Sequence, residues 1–279
     1  MKLTKRFTSL SGAAVLALSA MATPMAAQAE LSGNIGVYSA YVLRGITNAM
    51  ENENTAVQGG IDWAHDSGFY LGYWGSNLGY TSRATVADLT TGEVGQVPGS
   101  VDKGTSTITT CENDGDCAAA GFENDFYLGY GGSFGSVDYD IGLIYYYYLS
   151  VEESNGLEVP FSLTFAGATL GLKYLTNDVV WGNAGDIYWT LGYDFSLPAG
   201  FTLGAVLGYY TYSKDGDYIP EVPEAKSSAF RHFDLSLSHP IGDTGADMSI
   251  TAILGGEDRF GIDQANTVVL GVSYGFDAK

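Results

Sequence analysis

Apolar residues recur at every second position along most of this chain, a period that builds β-strands rather than helices. In Val137-Asp138-Tyr139-Asp140-Ile141-Gly142-Leu143-Ile144-Tyr145 one face is apolar, and the other carries Asp138, Asp140 and Gly142. Asp186–Phe195, Phe201–Tyr209 and Thr267–Phe276 repeat the pattern. Strands are expected at 31–43, 55–65, 68–80, 124–133, 137–149, 158–165, 168–176, 186–197, 200–212, 229–239, 246–255 and 266–276. The connections alternate in length. Long ones at 44–54, 81–123, 150–157, 177–185, 213–228 and 256–265 are separated by short ones near 65–68, 133–136, 166–167, 198–200 and 240–245. An even strand number with this ratchet predicts an antiparallel transmembrane β-barrel of about 12 strands, with short periplasmic turns and long extracellular loops.

Alternation alone does not say which face meets lipid; the aromatics do. Tyr80, Tyr145–Tyr148, Tyr209, Tyr210 and Tyr212 fall near the loop ends, and Trp63, Phe69, Phe195, Phe201, Tyr274 and Phe276 near the turn ends. Two aromatic girdles around an aliphatic band are the interfacial anchors of a membrane barrel. The last strand alternates to a near-terminal Phe276, the kind of strand read by barrel-assembly machinery, although Asp277-Ala278-Lys279 follow it.

The N-terminus has a different character. Lys2, Lys5 and Arg6 precede the apolar run Leu10–Ala20, and Ala27-Gln28-Ala29 is an A-x-A site. Residues 1–29 therefore read as a cleaved signal peptide of a bacterial exported protein, with 30–279 a single domain. Removing three bases leaves 9 against 32 acids, a mature charge of 9 − 32 = −23. Such acidity argues against nucleic acid as a partner, which needs a basic footprint. The hydrophobic fraction of 46% argues against a disordered acidic tail. No later segment suits a spanning helix: Leu197–Ser213 is interrupted by Pro198, Gly200, Gly204 and Gly208.

By parity the lumen face includes Asn34, Tyr38, Arg44, Gln58, Asp62, Asp125, Tyr127, Asp138, Asp140, Lys173, Tyr188, Asp194, His232 and Asp234. Among these, Arg44, Asp62, Asp138, Asp140, Lys173, Asp194 and Asp234 are the candidate pore-lining charges. A midplane Arg or Lys on the lipid face would cost about 2–4 kcal/mol. Twelve strands enclose more than side chains fill in an eight-stranded barrel, so a lumen lined this way is expected to conduct. The competing reading has Arg44 and Lys173 pairing with Asp62 or its neighbours to plug a narrow barrel. Lumen acids outnumber lumen bases, which predicts preference for cations or neutral solutes.

The loops carry acidic clusters at Glu51 and Glu53, Glu112–Asp116, Glu152 and Glu153, and Asp215 and Asp217. Neither Asp114-Gly115-Asp116 nor Asp215-Gly216-Asp217 has EF-hand spacing, so solvated loops are expected, with no metal and no cofactor. Cys111 and Cys117, with five residues between them in an exported chain, are expected to form a disulfide.

Leu31–Asn48 and Ala56–Asn77 contain Tyr41-x-x-Arg44-Gly45-Ile46, Gln58-Gly59-Gly60 and Gly68-Phe69-Tyr70, and further on stand Asp125-Phe126-Tyr127 and Gly171-Leu172-Lys173-Tyr174. These motifs resemble the TorF family of porin-like outer-membrane proteins, most specifically over 31–80. The resemblance implies an outer-membrane barrel for passive transport and names no solute. The partners this reading implies are outer-membrane lipid and lipopolysaccharide, the barrel-assembly machinery, periplasmic chaperones and small solutes. Two other classes compete with this reading. A surface or adhesin barrel would rest on the long loop 81–123. A barrel lipid hydrolase would need a Ser–His pair; Ser236, Ser238 and His239 are close in sequence, yet no G-x-S-x-G motif is present, and an enzyme is not expected.

Overall fold

The computed structural model describes residues 30–49, 52, 54–81, 83–87, 94–101, 108–110, 120–148, 152–223 and 225–278. Its strands are β1 (Glu30–Tyr38), β2 (Ala56–Ala64), β3 (Phe69–Thr81), β4 (Arg83–Ala87), β5 (Val94–Val101), β6 (Ile108–Thr110), β7 (Ala120–Phe134) and β8 (Val137–Tyr148). They continue as β9 (Gly156–Phe165), β10 (Ala168–Leu175), β11 (Ile187–Ser196), β12 (Thr202–Thr211), β13 (Ser228–Pro240), β14 (Ala246–Gly255) and β15 (Thr267–Ala278). Twelve of them close an antiparallel barrel, β1-β15-β14-β13-β12-β11-β10-β9-β8-β7-β3-β2, while β4, β5 and β6 form a separate three-stranded sheet. Closure falls on β1, where Asn34 lies opposite Gly60 on one side and Gly275 on the other. A closed barrel leaves no strand edge with unpaired backbone groups.

The alternation sorts the two faces as expected. Ile61, Leu170, Val268 and Leu270 point outward and are each at least 50% exposed, and they belong to a continuous outer belt of Leu, Ile, Val, Phe and Tyr. Their strand neighbours point inward, where polar and small residues prevail. In β8, Gly142, Ile144 and Tyr146 are buried and Ile141, Leu143 and Tyr145 exposed. The short connections lie at one barrel end, called here the turn end. Ala166 and Gly167 join β9 to β10 with φ of 51° and 86°. That pair of positive angles makes the tight hairpin turn whose twist matches its strands.

Three expectations are corrected. β1 ends at Tyr38 instead of running to 43, because Tyr41, Val42 and Leu43 bury their apolar side chains inside the barrel rather than outside it. The segment 81–123 is not one loop: β3 reaches Thr81, β7 begins at Ala120, and three short strands lie between. Of the tyrosines assigned to the loop-end girdle, Tyr146 is buried and Tyr145 exposed. Tyr210, likewise, lies within the lumen while its neighbour Tyr209 points outward, since period two sends neighbours to opposite faces. The leader 1–29, Cys111 and Cys117, Glu51, Glu53 and Glu112–Asp116 lie outside the described residues, as does the side chain of Tyr80.

Candidate functional site

A twelve-stranded barrel has more interior than its own side chains fill. Here the connection between β1 and β2 supplies the rest by folding inward. Val42 packs against Ile253 and Val269, with Tyr38 and Ala40 beside them. Tyr41 packs with Ala56 and Leu78, flanked by Leu43, Trp74 and Tyr148. Arg44 and Gly45 take φ of 49° and 72°, which turns the loop back on itself inside the lumen. Only Gly fits at 45, where any side chain would collide with the imidazole of His232. Asn52 ties the loop by donating its side-chain amide to the carbonyls of Tyr41 and Ile46. Thr47 Oγ1 and Asn48 Nδ2 donate to the carbonyls of Ala265 and Asp263 in the last long loop, at 2.7 and 2.9 Å.

The inward loop aims Arg44 across the lumen at Glu158 on β9. The guanidinium forks onto the carboxylate, Nη1 to Oε1 at 2.8 Å and Nη2 to Oε2 at 2.7 Å. Both residues are buried, and Tyr146 adds a hydroxyl at 2.8 Å from Glu158 Oε2. The hydroxyl of Tyr210 lies 2.6 Å from Arg44 Nη1. On β7, Glu123 is also buried and accepts from the hydroxyls of Tyr41 at 2.9 Å and Tyr148 at 2.7 Å. Asp125, two residues on, is fully buried, and neither of its oxygens has a hydrogen-bond partner. Lys173, from β10, lies within electrostatic reach of Arg44, Glu158, Asp125 and Glu123. Among the described residues, three carboxylates and two bases thus share one chamber of the loop-end half, called here the constriction.

Beside it runs a column of arginines on aromatic rings. Arg44 stands 4.9 Å from the ring centre of Tyr188, Arg231 5.7 Å from Tyr210, and Arg259 4.6 Å from Tyr212. Tyr210 and Tyr212 stack at 5.0 Å. Behind Tyr188 the wall holds a polar chain. The Tyr188 hydroxyl lies 2.6 Å from His232 Nε2, and His232 Nδ1 lies 2.8 Å from Asp234 Oδ1. The pattern fits an imidazole that donates to Asp234 and accepts from Tyr188. A bulge after Gly208 adds Arg231 to β13, so Arg231 and His232 are both buried although adjacent in sequence.

The turn-end half is different. Asp62 accepts from the hydroxyl of Tyr127. Asp140 accepts from Tyr70 at 2.8 Å, and Asp138 from Ser133 Oγ at 2.5 Å. Asp194 faces Gly204 and is exposed to the lumen. No Lys or Arg falls on the turn-end half of any described barrel strand.

Of the expected pore-lining charges, Lys173 and Arg44 meet in the constriction, Asp234 lies beside it, and Asp62, Asp138, Asp140 and Asp194 form an acidic vestibule. Arg44 does not pair with Asp62 but with Glu158. Glu123, Glu158 and Arg231 are not among the residues the sequence points to, and Tyr146 and Tyr210, expected in the lipid-facing girdle, stand here in the lumen instead. Parity on β9, with Val159, Phe161 and Leu163 on the opposite face, marks Glu158 as inward; parity cannot find Arg231, because the bulge breaks it.

Above the constriction the long loops are stitched together. Arg259 pairs with Asp186 and donates to the Ser213 carbonyl at 2.8 Å. Burial lifts the Asp186 carboxyl above its ordinary range, against the pull of the Asn183 and Ser213 backbone N–H groups and of Arg259. Trp181 Nε1 donates to the Ser154 carbonyl at 2.8 Å. Among the described residues, no helix is long and apolar enough to cross a membrane, and no group of three or more His, Cys, Asp or Glu is placed to hold a metal ion.

A family model described as "Bacterial protein of unknown function (Gcw_chp)" matches residues 22–276. The chain belongs to the Gcw_chp family. No curated protein sequence matches this Gcw_chp chain. Among solved structures it is similar to the KdgM porin, with 10% identity, a TM-score of 0.45, and coverage of 88% of this chain and 99% of that one. It is similar to the NanC porin at 11% identity and TM-score 0.44, covering 87% and 97%. The COG4313 outer membrane channel from Pseudomonas putida F1 matches at 9% identity and TM-score 0.45, covering 91% and 97%.

Proposed function

We propose that this Gcw_chp protein is a bacterial outer-membrane diffusion channel for small solutes or ions, with a preference for cations or neutral molecules. One observation carries the reading: a closed barrel, apolar outside and polar inside, has its lumen narrowed by a loop-borne arginine. Exposed apolar side chains on every face of a barrel are costly in water and favourable against hydrocarbon. The resemblance of residues 31–80 to the TorF family supports the same reading, with the turn end periplasmic and the loop end extracellular. The acidic vestibule supports cation preference, since a pore lined by one sign of charge concentrates the opposite ion.

One feature favours a second reading, a surface barrel that presents its loops and does not conduct. The Arg44–Glu158 fork and the packing around Val42 fill the loop-end lumen. Planar-bilayer recording on refolded Glu30–Lys279 separates the two. The channel reading expects discrete conductance steps and a reversal potential on the cation side in a KCl gradient. Absence of conductance at every voltage overturns it in favour of the surface barrel.

A further inference from the structure

In the constriction chamber the charges do not balance. Among the described residues, Glu123, Asp125 and Glu158 face Arg44 and Lys173, an excess of one negative charge when all five are ionised. Two of the carboxylates are fully served. Glu158 receives both arms of Arg44 and the Tyr146 hydroxyl, and Glu123 receives the hydroxyls of Tyr41 and Tyr148. Asp125 is 0% exposed, and neither Oδ1 nor Oδ2 has a hydrogen-bond partner. A buried carboxylate in this condition is unfavourable unless a positive charge joins it. A proton would also neutralise it, and the comparison of salts below separates a proton from a bound cation.

We propose that Asp125 is an ion-binding position of the constriction and takes one small monovalent cation of the alkali-metal or ammonium class. This rests on the channel reading and deepens it by naming the site where a permeating cation pauses. The charge count selects a monovalent ion, since one positive charge neutralises the chamber and two would overshoot. The ligand set agrees, because Asp125 is the carboxylate left over after Glu123 and Glu158 are engaged. Its depth excludes bulky organic cations. Inward-pointing Glu123 lies two residues away on the same strand, about 7 Å along it, so a cation at Asp125 also feels a second carboxylate.

The test uses refolded Glu30–Lys279 in zwitterionic detergent, with thermal unfolding followed by circular dichroism. Sodium or potassium chloride is compared with N-methylglucamine chloride at equal ionic strength. Wild type is expected to melt higher in the small cation. The difference is expected to vanish in Asp125→Asn and to grow in Lys173→Gln, which leaves a second negative charge uncompensated. In bilayers, wild-type conductance is expected to saturate with KCl activity, and Asp125→Asn to lose the saturation. Equal wild-type melting in both salts overturns the site, whether or not current flows and whether or not Asp125→Asn folds. Cation-specific stabilisation without current at any voltage leaves the site standing and overturns the channel.

Discussion

Arg44 is where backbone strain and charge meet. A non-glycine residue held at positive φ costs on the order of 1–3 kcal/mol, and the fork onto Glu158 offsets it. Removing one partner of a buried ion pair costs about 3–5 kcal/mol, because the other charge stays behind unpaired. Arg44→Ala is therefore expected to lower the melting temperature, enlarge the single-channel conductance and move the reversal potential further toward the cation side. Single-channel recording in a salt gradient checks all but the first. Arg44→Lys is expected to restore little, since an ammonium cannot make the two parallel bonds that hold Glu158. Sequence parity marks Arg44 as a lumen charge but does not point to Glu158 as its partner. The two residues stand 114 positions apart, and Arg44 reaches the lumen by way of a loop, which strand periodicity does not describe. The five lumen aspartates Asp62, Asp138, Asp140, Asp194 and Asp234 were legible because each sits on a regular strand with apolar neighbours.

Among the elements, the strands read off well and their ends less so. Each expected strand corresponds to one barrel strand, and β14 (Ala246–Gly255) has the same bounds. β1 is shorter than periodicity suggests because Tyr41, Val42 and Leu43 look like strand residues, yet their apolar demand is met inside the barrel, against Leu78, Ile253 and Val269. The inward loop depends on Gly45. Gly45→Val meets both the positive φ and the His232 ring, so it is expected to expel the loop from the lumen while the barrel stays closed. The mature protein should then keep its β-type circular dichroism and its gel-mobility shift on boiling, melt at a lower temperature, and expose the loop to protease. An unchanged proteolytic pattern would count against the plug. The long connection between β3 and β7 carries a prediction of its own: non-reducing mass spectrometry of protein taken from the outer membrane should find Cys111 bonded to Cys117. Alkylatable thiols there would contradict both the compartment and the loop reading.

For the whole molecule, the decisive property is that one closed sheet turns an apolar face outward and a polar face inward. The vestibule aspartates act within a Debye length of about 8 Å at physiological salt. Asp140→Asn combined with Asp194→Asn is expected to move the reversal potential toward zero, and the same trend should follow from raising salt on wild type. An anion-selective wild-type channel would refute this. The fold came from periodicity, which is a property of every strand. The constriction did not, because it depends on where distant strands are brought level by closure and on how one loop fills the space within. The axial separation of charge has a consequence for transport in time. Among the described barrel strands, the turn-end half carries acids and no Lys or Arg, whereas the bases stand with their partners in the other half. A narrow conduit with fixed charge at one entrance behaves as an ionic diode, enriching cations when the field drives them from the charged side and depleting them when it reverses. Current–voltage curves in symmetric dilute salt should therefore bend, with unequal current at equal and opposite voltages, and straighten as the salt is raised.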